Sequence, residues 1–265
     1  MPQLPRGAKE LAPKVPEITV LFWIVKVLTT GMGEAMSDFL GQKSVPIGGA
    51  IGVLGFTLAL RLQLRARAYS APVYWFAVMM VAVFGTMVAD AIKDGLGLSY
   101  AVTTPVFALV VAAVFWRWHR SEGTLSIHSI DTARRERFYW AAVLGTFALG
   151  TAAGDLTAMT LHLGWLASIV VFGGLIALPA LAWARGGLNP IAAFWLAYIL
   201  TRPLGASVAD WLGKPDNGGL GLGDGTVSAV ALVAFAALVA YLTAGRRDVQ
   251  RRPRAFPLQP QPAEE

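Results

Sequence analysis

Seven ionisable side chains fall inside stretches that are otherwise apolar. They are Glu34, Asp38, Asp90, Asp155 and Asp210 on one side, and Lys26 and Arg202 on the other. Five acids against two bases leave a formal excess of three negatives. At membrane depth such an imbalance requires either protonated carboxyls or a cation that completes the site. Glu34 and Asp38 are four residues apart and share one helical face, with Thr30 and Lys26 one and two turns earlier. Carboxylates are hard oxygen ligands, so Glu34 and Asp38 are the candidate metal ligands. The chain has no cysteine, and its three histidines (His119, His128, His162) are scattered. Hard ions such as Mg²⁺ or Mn²⁺ therefore fit better than copper. The hydroxyls of Thr29, Thr30, Thr86, Thr151, Thr201 and Ser207 fall at matching depths.

The elements that carry these groups follow from composition. Of 265 residues, 55% are hydrophobic and 14% charged, and the mean hydropathy is +0.56. A soluble chain carries about 25% charged residues, so the missing charge points to a surface that faces lipid. Apolar runs long enough to cross a bilayer recur near 18–39, 45–64, 73–92, 100–118, 138–159, 164–184, 190–212 and 225–244. The expected fold is all-α: a polytopic membrane protein of eight transmembrane helices.

Those spans repeat in pairs. An aromatic–Trp pair opens each odd span, ending in Trp23, Trp75, Trp140 and Trp195. Ten residues after each Trp stands a glycine (Gly33, Gly85, Gly150, Gly205), and fifteen after it an aspartate (Asp38, Asp90, Asp155, Asp210). Four matches in register define four tandem helix hairpins at about 17–67, 68–120, 136–187 and 188–247, with a polar, proline-rich tail at 248–265 read as disordered. Each unit holds an even number of spans, so the repeats run parallel about an axis along the membrane normal. The motif glycines are expected to bring the odd helices into close packing at the bundle centre. The tryptophans read as interface anchors. With Trp at the membrane boundary, a rise of about 1.5 Å per residue puts the glycines near the midplane and the aspartates toward the opposite side.

Seventeen of the 22 basic residues fall in the termini and even-numbered connections, and three (Lys43, Lys93, Lys214) in the odd-numbered ones. The positive-inside rule then puts both termini in the cytoplasm. The arginine clusters at 117–137 and in the tail suit anionic lipid headgroups, and with this placement no nucleic-acid partner is implied. No catalytic Ser–His pairing, H-E-x-x-H or phosphate loop is present, so neither an enzyme nor a cofactor is expected. The glycine-rich run DNGGLGLGDG (216–225) reads as a flexible hairpin on the far side.

The four Trp-led hairpins, with KVPEIT before the first span and TRPLGAS in the seventh, resemble a bacterial family of membrane-anchored proteins built from four tandem two-helix repeats. The repeat of that family has no assigned function. The resemblance covers about residues 17–245 and implies an eight-helix protein of the inner membrane, but supplies no substrate or catalytic residue. Two readings of the intramembrane charges stand side by side. In one, Glu34 with the aspartates, Lys26 and Arg202 lines the path of a small inorganic cation, either a divalent metal or a proton-coupled ion. In the other, the same charges neutralise one another and the protein is a non-transporting anchor or scaffold. An intramembrane enzyme is the third and weakest reading.

Overall fold

A computed structural model describes residues 13–250. Eight helices follow one another: α1 Val20–Lys43, α2 Val45–Arg65, α3 Ala71–Leu96, α4 Tyr100–Glu122, α5 Ala133–Asp155, α6 Gly164–Ala184, α7 Pro190–Gly213 and α8 Asp224–Gly245. All eight are long and apolar enough to span a membrane. Among the described residues there is no strand. The protein is a polytopic helical membrane protein. The tail beyond Gln250, and with it most of the segment expected to be disordered, lies outside the described residues, as do Arg6 and Lys9.

Local signals set the boundaries. Thr19, Thr132 and Asn189 accept hydrogen bonds from the first-turn amides of α1, α5 and α7, satisfying donors that a helix start leaves without partners. Ser44 is both the end of α1 and the N-cap of α2, so this hairpin turns on one residue. α3 and α4 run a turn beyond their expected ends, to Gly97 and Gly123, whose left-handed backbone closes each helix. α5 starts five residues earlier than its apolar run, because Thr132 caps a polar first turn. It continues past Asp155 into one π-helical turn, Leu156–Thr160.

Odd and even helices have different surroundings. In the most apolar 18 residues of each odd helix 50–61% are buried, against 17–22% in each even helix. The odd helices form the centre, and α2, α4, α6 and α8 surround them.

The centre is a closed ring. α1 packs on α3, α3 on α5, α5 on α7, and α7 returns to α1. The motif glycines explain the order. A Cβ on Gly33 would overlap Ala82, on Gly85 Phe147, on Gly150 Arg202, and on Gly205 Thr30. In every case the neighbour is the residue three before the glycine of the next repeat. The aromatic pairs obey the same rule one layer nearer the termini. Phe22 meets Trp75 (5.7 Å between centroids), Tyr74 meets Trp140 (5.7 Å), Tyr139 meets Trp195 (6.1 Å), and Phe194 closes on Trp23 (5.7 Å). Even helices also pass forward: α2 lies chiefly on α3, α4 on α5, α6 on α7, and α8 on α1. The four repeats therefore surround a pseudo-fourfold axis.

This arrangement corrects the expectation for the tryptophans. Trp75, Trp140 and Trp195 are buried inside the aromatic layer and Trp23 is half-buried, instead of facing headgroups. Their rings fill the space where four helices converge below the glycine layer, and burying that much aromatic surface outweighs an interfacial position. Trp116 and Trp183, on even helices, are the exposed ones (62% and 56%) and suit the membrane boundary.

Candidate functional site

Above the aromatic layer the axis is occupied by charge. Glu34, Thr86 and Thr151 each stand one residue past a motif glycine, so the ring brings them to one level from α1, α3 and α5. Arg202, from α7, reaches all three. Its Nη2 donates to Glu34 Oε2 at 2.5 Å, to Thr151 Oγ1 at 2.7 Å and to Thr86 Oγ1, while Nη1 donates to the Thr30 carbonyl at 3.3 Å. Glu34 and Arg202 are 2% and 0% exposed, so this is a fully buried ion pair. The fourth repeat has Ala206 where the others carry Glu or Thr. It contributes the arginine one turn earlier instead, and Gly150 makes room for the arginine's aliphatic stem. Thr29 and Thr201 bond back to their own helices and play no part here.

Lys26 does not join this network. Among the described residues its Nζ has no hydrogen-bond partner, and it rests over the rings of Phe147 (4.1 Å) and Tyr198 (4.2 Å). Two helical turns separate it from Glu34, roughly 12 Å of rise, and Arg202 already holds that carboxylate. The expectation that Lys26 neutralises an acid is therefore corrected. Its ammonium is held by the negative faces of aromatic rings.

On the other side of Arg202 lies the acidic cluster. Carboxylate oxygens of Glu34, Asp38 and Asp210 lie within 4.8 Å of one another. Asp90 and Asp155 are close enough to Glu34 and Asp38 to interact electrostatically. Asp155 and Asp210 are buried, and Asp38 and Asp90 are half-buried. The π-helical turn begins immediately after Asp155, the kind of local widening that recurs at functional sites.

A residue that sequence reasoning assigned to a loop completes the cluster. Lys214, the C-cap of α7, places its Nζ 2.8 Å from Asp38 Oδ2 and 2.7 Å from Asp210 Oδ1. Burial alone would lower its pKa, but the carboxylates of Asp210, Asp38, Glu34 and Asp155 hold it above the ordinary lysine value. The i,i+4 spacing from Asp210 to Lys214 was the available signal. With Lys26 held elsewhere and Lys214 taking its place, the five acids still face two bases, so the formal excess of negatives at the site stays at three.

The run 216–225 is not free either. Leu220 N donates to the Trp211 carbonyl (2.6 Å), Gly221 N to Lys214 (3.1 Å), Leu222 N to Leu212 (2.9 Å) and Gly223 N to Gly213 (3.0 Å). The hairpin is laced to the end of α7, because the last carbonyls of that helix need donors.

A second buried ion pair lies at the end that carries the termini. Lys14 Nζ donates to Glu136 Oε2 at 2.6 Å, and Gln63 Nε2 donates to Glu136 Oε1 at 3.1 Å. The Glu17 amide donates to the Asp248 carbonyl (2.8 Å), and the Tyr69 hydroxyl to the Asp248 side chain. Sequence reasoning missed this network because each member sits at a span edge, where charge is ordinary. A groove of about 780 Å³ is at this end, between α1, α6, α7 and residues 125–128. It is apolar and lies off the axis.

Four parallel helix hairpins closing a ring around an axial run of charge define an eight-helix integral membrane protein of the tandem-repeat class. The chain belongs to the family described as Repeat of Unknown Function (DUF347), whose profile matches four times, at residues 21–69, 73–124, 138–187 and 193–248. No curated protein and no solved structure matches it.

Proposed function

We propose that this protein is a transporter of a small inorganic cation, with the path along the pseudo-fourfold axis. The observation that carries this reading is the carboxylate surplus at the axis. Glu34, Asp38 and Asp210 converge, Asp90 and Asp155 lie within electrostatic reach of them, and among the described residues the ion pairs to this group come from Arg202 and Lys214. Ionisable groups that face a bundle interior are expensive to bury and mark substrate and ion pathways. Acidic rings attract cations in the same way at pore mouths. In this reading Arg202 is a tethered counter-cation that holds Glu34 until a mobile cation takes part of its charge. Lys26, held on its aromatic rings, stands between the acids and the termini.

The protein works in the plasma membrane of a bacterium with both termini in the cytoplasm, and the arginines at 117–137 meet anionic headgroups. It has neither enzymatic activity nor a nucleic-acid partner. Alkaline phosphatase fusions after Arg67, Gly97, Arg120 and Lys214 test the orientation: only those after Gly97 and Lys214 should be active.

One observation favours the scaffold reading. Glu34 Oε2 is already held by Arg202, and the aromatic and glycine layers bring the odd helices into contact around the axis. Flux in proteoliposomes separates the two. Wild type should move Mn²⁺ or Mg²⁺, and folded Glu34→Gln and Asp155→Asn should be impaired. If no cation moves, or if Glu34→Gln transports as well as wild type, the scaffold reading replaces transport.

A further inference from the structure

The far end of the axis has the features of a binding site with a removable plug. Asp210 is 1% exposed, and among the described residues its Oδ2 has neither a hydrogen bond nor an ion pair. That oxygen belongs to a carboxylate that converges with Glu34 and Asp38. A buried, unpartnered carboxylate oxygen costs free energy unless something is meant to meet it. The cradle demonstrably accepts a cation, because the Lys214 ammonium already sits between Asp38 and Asp210.

Lys214 is also presented in an unusual way. Its amide donates to the Asp210 carbonyl (2.9 Å), and its carbonyl accepts from Gly221 (3.1 Å), so the backbone is fixed at both sides. A Cβ at Gly219 would overlap the Lys214 carbonyl, and Gly221 has a positive φ of 68°. Only glycine lets the hairpin close over this lysine. The side chain itself is 21% exposed and lies 5.3 Å over the Trp165 ring, so it borders solvent while its charge reaches inward. The backbone is pinned by hydrogen bonds on both sides, while the long side chain borders solvent.

We propose that Glu34, Asp38 and Asp210 form a three-carboxylate site for one hard divalent cation, and that the Lys214 ammonium is the tethered cation that this ion displaces. Three carboxylates match a dication better than a monovalent ion, since two positive charges nearly neutralise the site once the lysine swings out. Glu34 is shared with Arg202, so filling the site also loosens the midplane ion pair. The inference rests on the cation reading above, but it concerns binding and can be tested without flux.

The test is Mn²⁺ binding to the full chain in nanodiscs, followed by loss of the free-ion paramagnetic resonance signal, with Mg²⁺ as competitor. Removing a unit charge from a site a few ångströms away should tighten binding by roughly tenfold to a hundredfold in Lys214→Gln. Lys214→Arg, which keeps the plug, should bind like wild type or more weakly. Asp210→Asn placed in the Lys214→Gln background should abolish the gain. Should Lys214→Gln fail to fold, Asp210→Asn alone decides, because it must weaken Mn²⁺ binding by the wild-type chain. Unchanged affinity in folded Lys214→Gln, or full binding in Asp210→Asn, overturns the site. A tightened Lys214→Gln that moves no ion keeps the site and removes the transport reading. Flux by a protein whose affinity ignores Lys214 does the reverse.

Discussion

The two ends of the bundle handle buried carboxylates in opposite ways. Near the termini, Glu136 meets Lys14 on one oxygen and Gln63 on the other, so both oxygens are satisfied. At the far end several carboxylates share Lys214, and Asp210 keeps an oxygen with no partner. Both regions are desolvated and both join distant parts of the chain. A pair that saturates itself locks elements together and has nothing left to offer a ligand. A cluster short of cations retains a binding capacity that the fold itself does not use. Between them Arg202 is an intermediate case, holding one oxygen of Glu34 from a single nitrogen while its Nε has no hydrogen-bond partner among the described residues.

The largest effect expected is at that intermediate. Arg202→Met leaves Glu34 buried without its counter-charge and should cost about 3–5 kcal/mol, read as thermal unfolding in detergent. Adding Glu34→Leu should recover most of the loss, because replacing both members of a buried pair by apolar groups is often neutral. If the single variant is as stable as wild type, the axial pair is not what closes the ring. Lys14→Met comes next, at about 2–4 kcal/mol, since Glu136 keeps the Gln63 amide. It should leave Mn²⁺ affinity untouched, and any change there would erase the contrast between the two ends.

Smaller effects refine the comparison. Gly150→Ala pushes a methyl group into the stem of Arg202 and should lose about 1–3 kcal/mol through overpacking. The same change at Gly173, whose added Cβ would meet nothing within 4 Å, should be tolerated in the same assay. Lys26→Met should alter stability by less than about 1 kcal/mol, as a lost cation–π contact offsets relief of an unpaired buried charge. A loss of several kcal/mol would reveal a partner for Lys26 and make its layer resemble the terminal pair.

Much of this was legible in the order of residues. The register of Trp, glycine and aspartate identifies the odd helices, and intramembrane charge places those helices inside. The cyclic order was not legible. Parallel repeats around an axis can meet in more than one sequence, and it takes contacts such as those of Gly205 with Thr30 and of Phe194 with Trp23 to show that the last repeat returns to the first. Lys214 was hidden by a sorting rule, since a lysine one residue past a span counts as a loop charge until its reach is considered. The tryptophans misled for a related reason. Their depth suits an interface, but depth does not reveal which way a ring points, and each motif Trp also meets a ring supplied by another repeat.

Ring closure has a consequence for how the molecule is made. Synthesis delivers α1 first, carrying Lys26, Glu34 and Asp38, yet the groups that neutralise Glu34 and Asp38 arrive with α7 and its hairpin, some 170 residues later. At an elongation rate of about 5–20 residues per second, the first helix waits roughly ten to thirty seconds for its partners. Through that interval its charges must be sheltered by the insertion machinery, by lipid headgroups or by water, because the protein has not yet produced their complement. The last repeat, sealing α7 and α8 against α1, is the step that converts a row of hairpins into a finished barrel of helices.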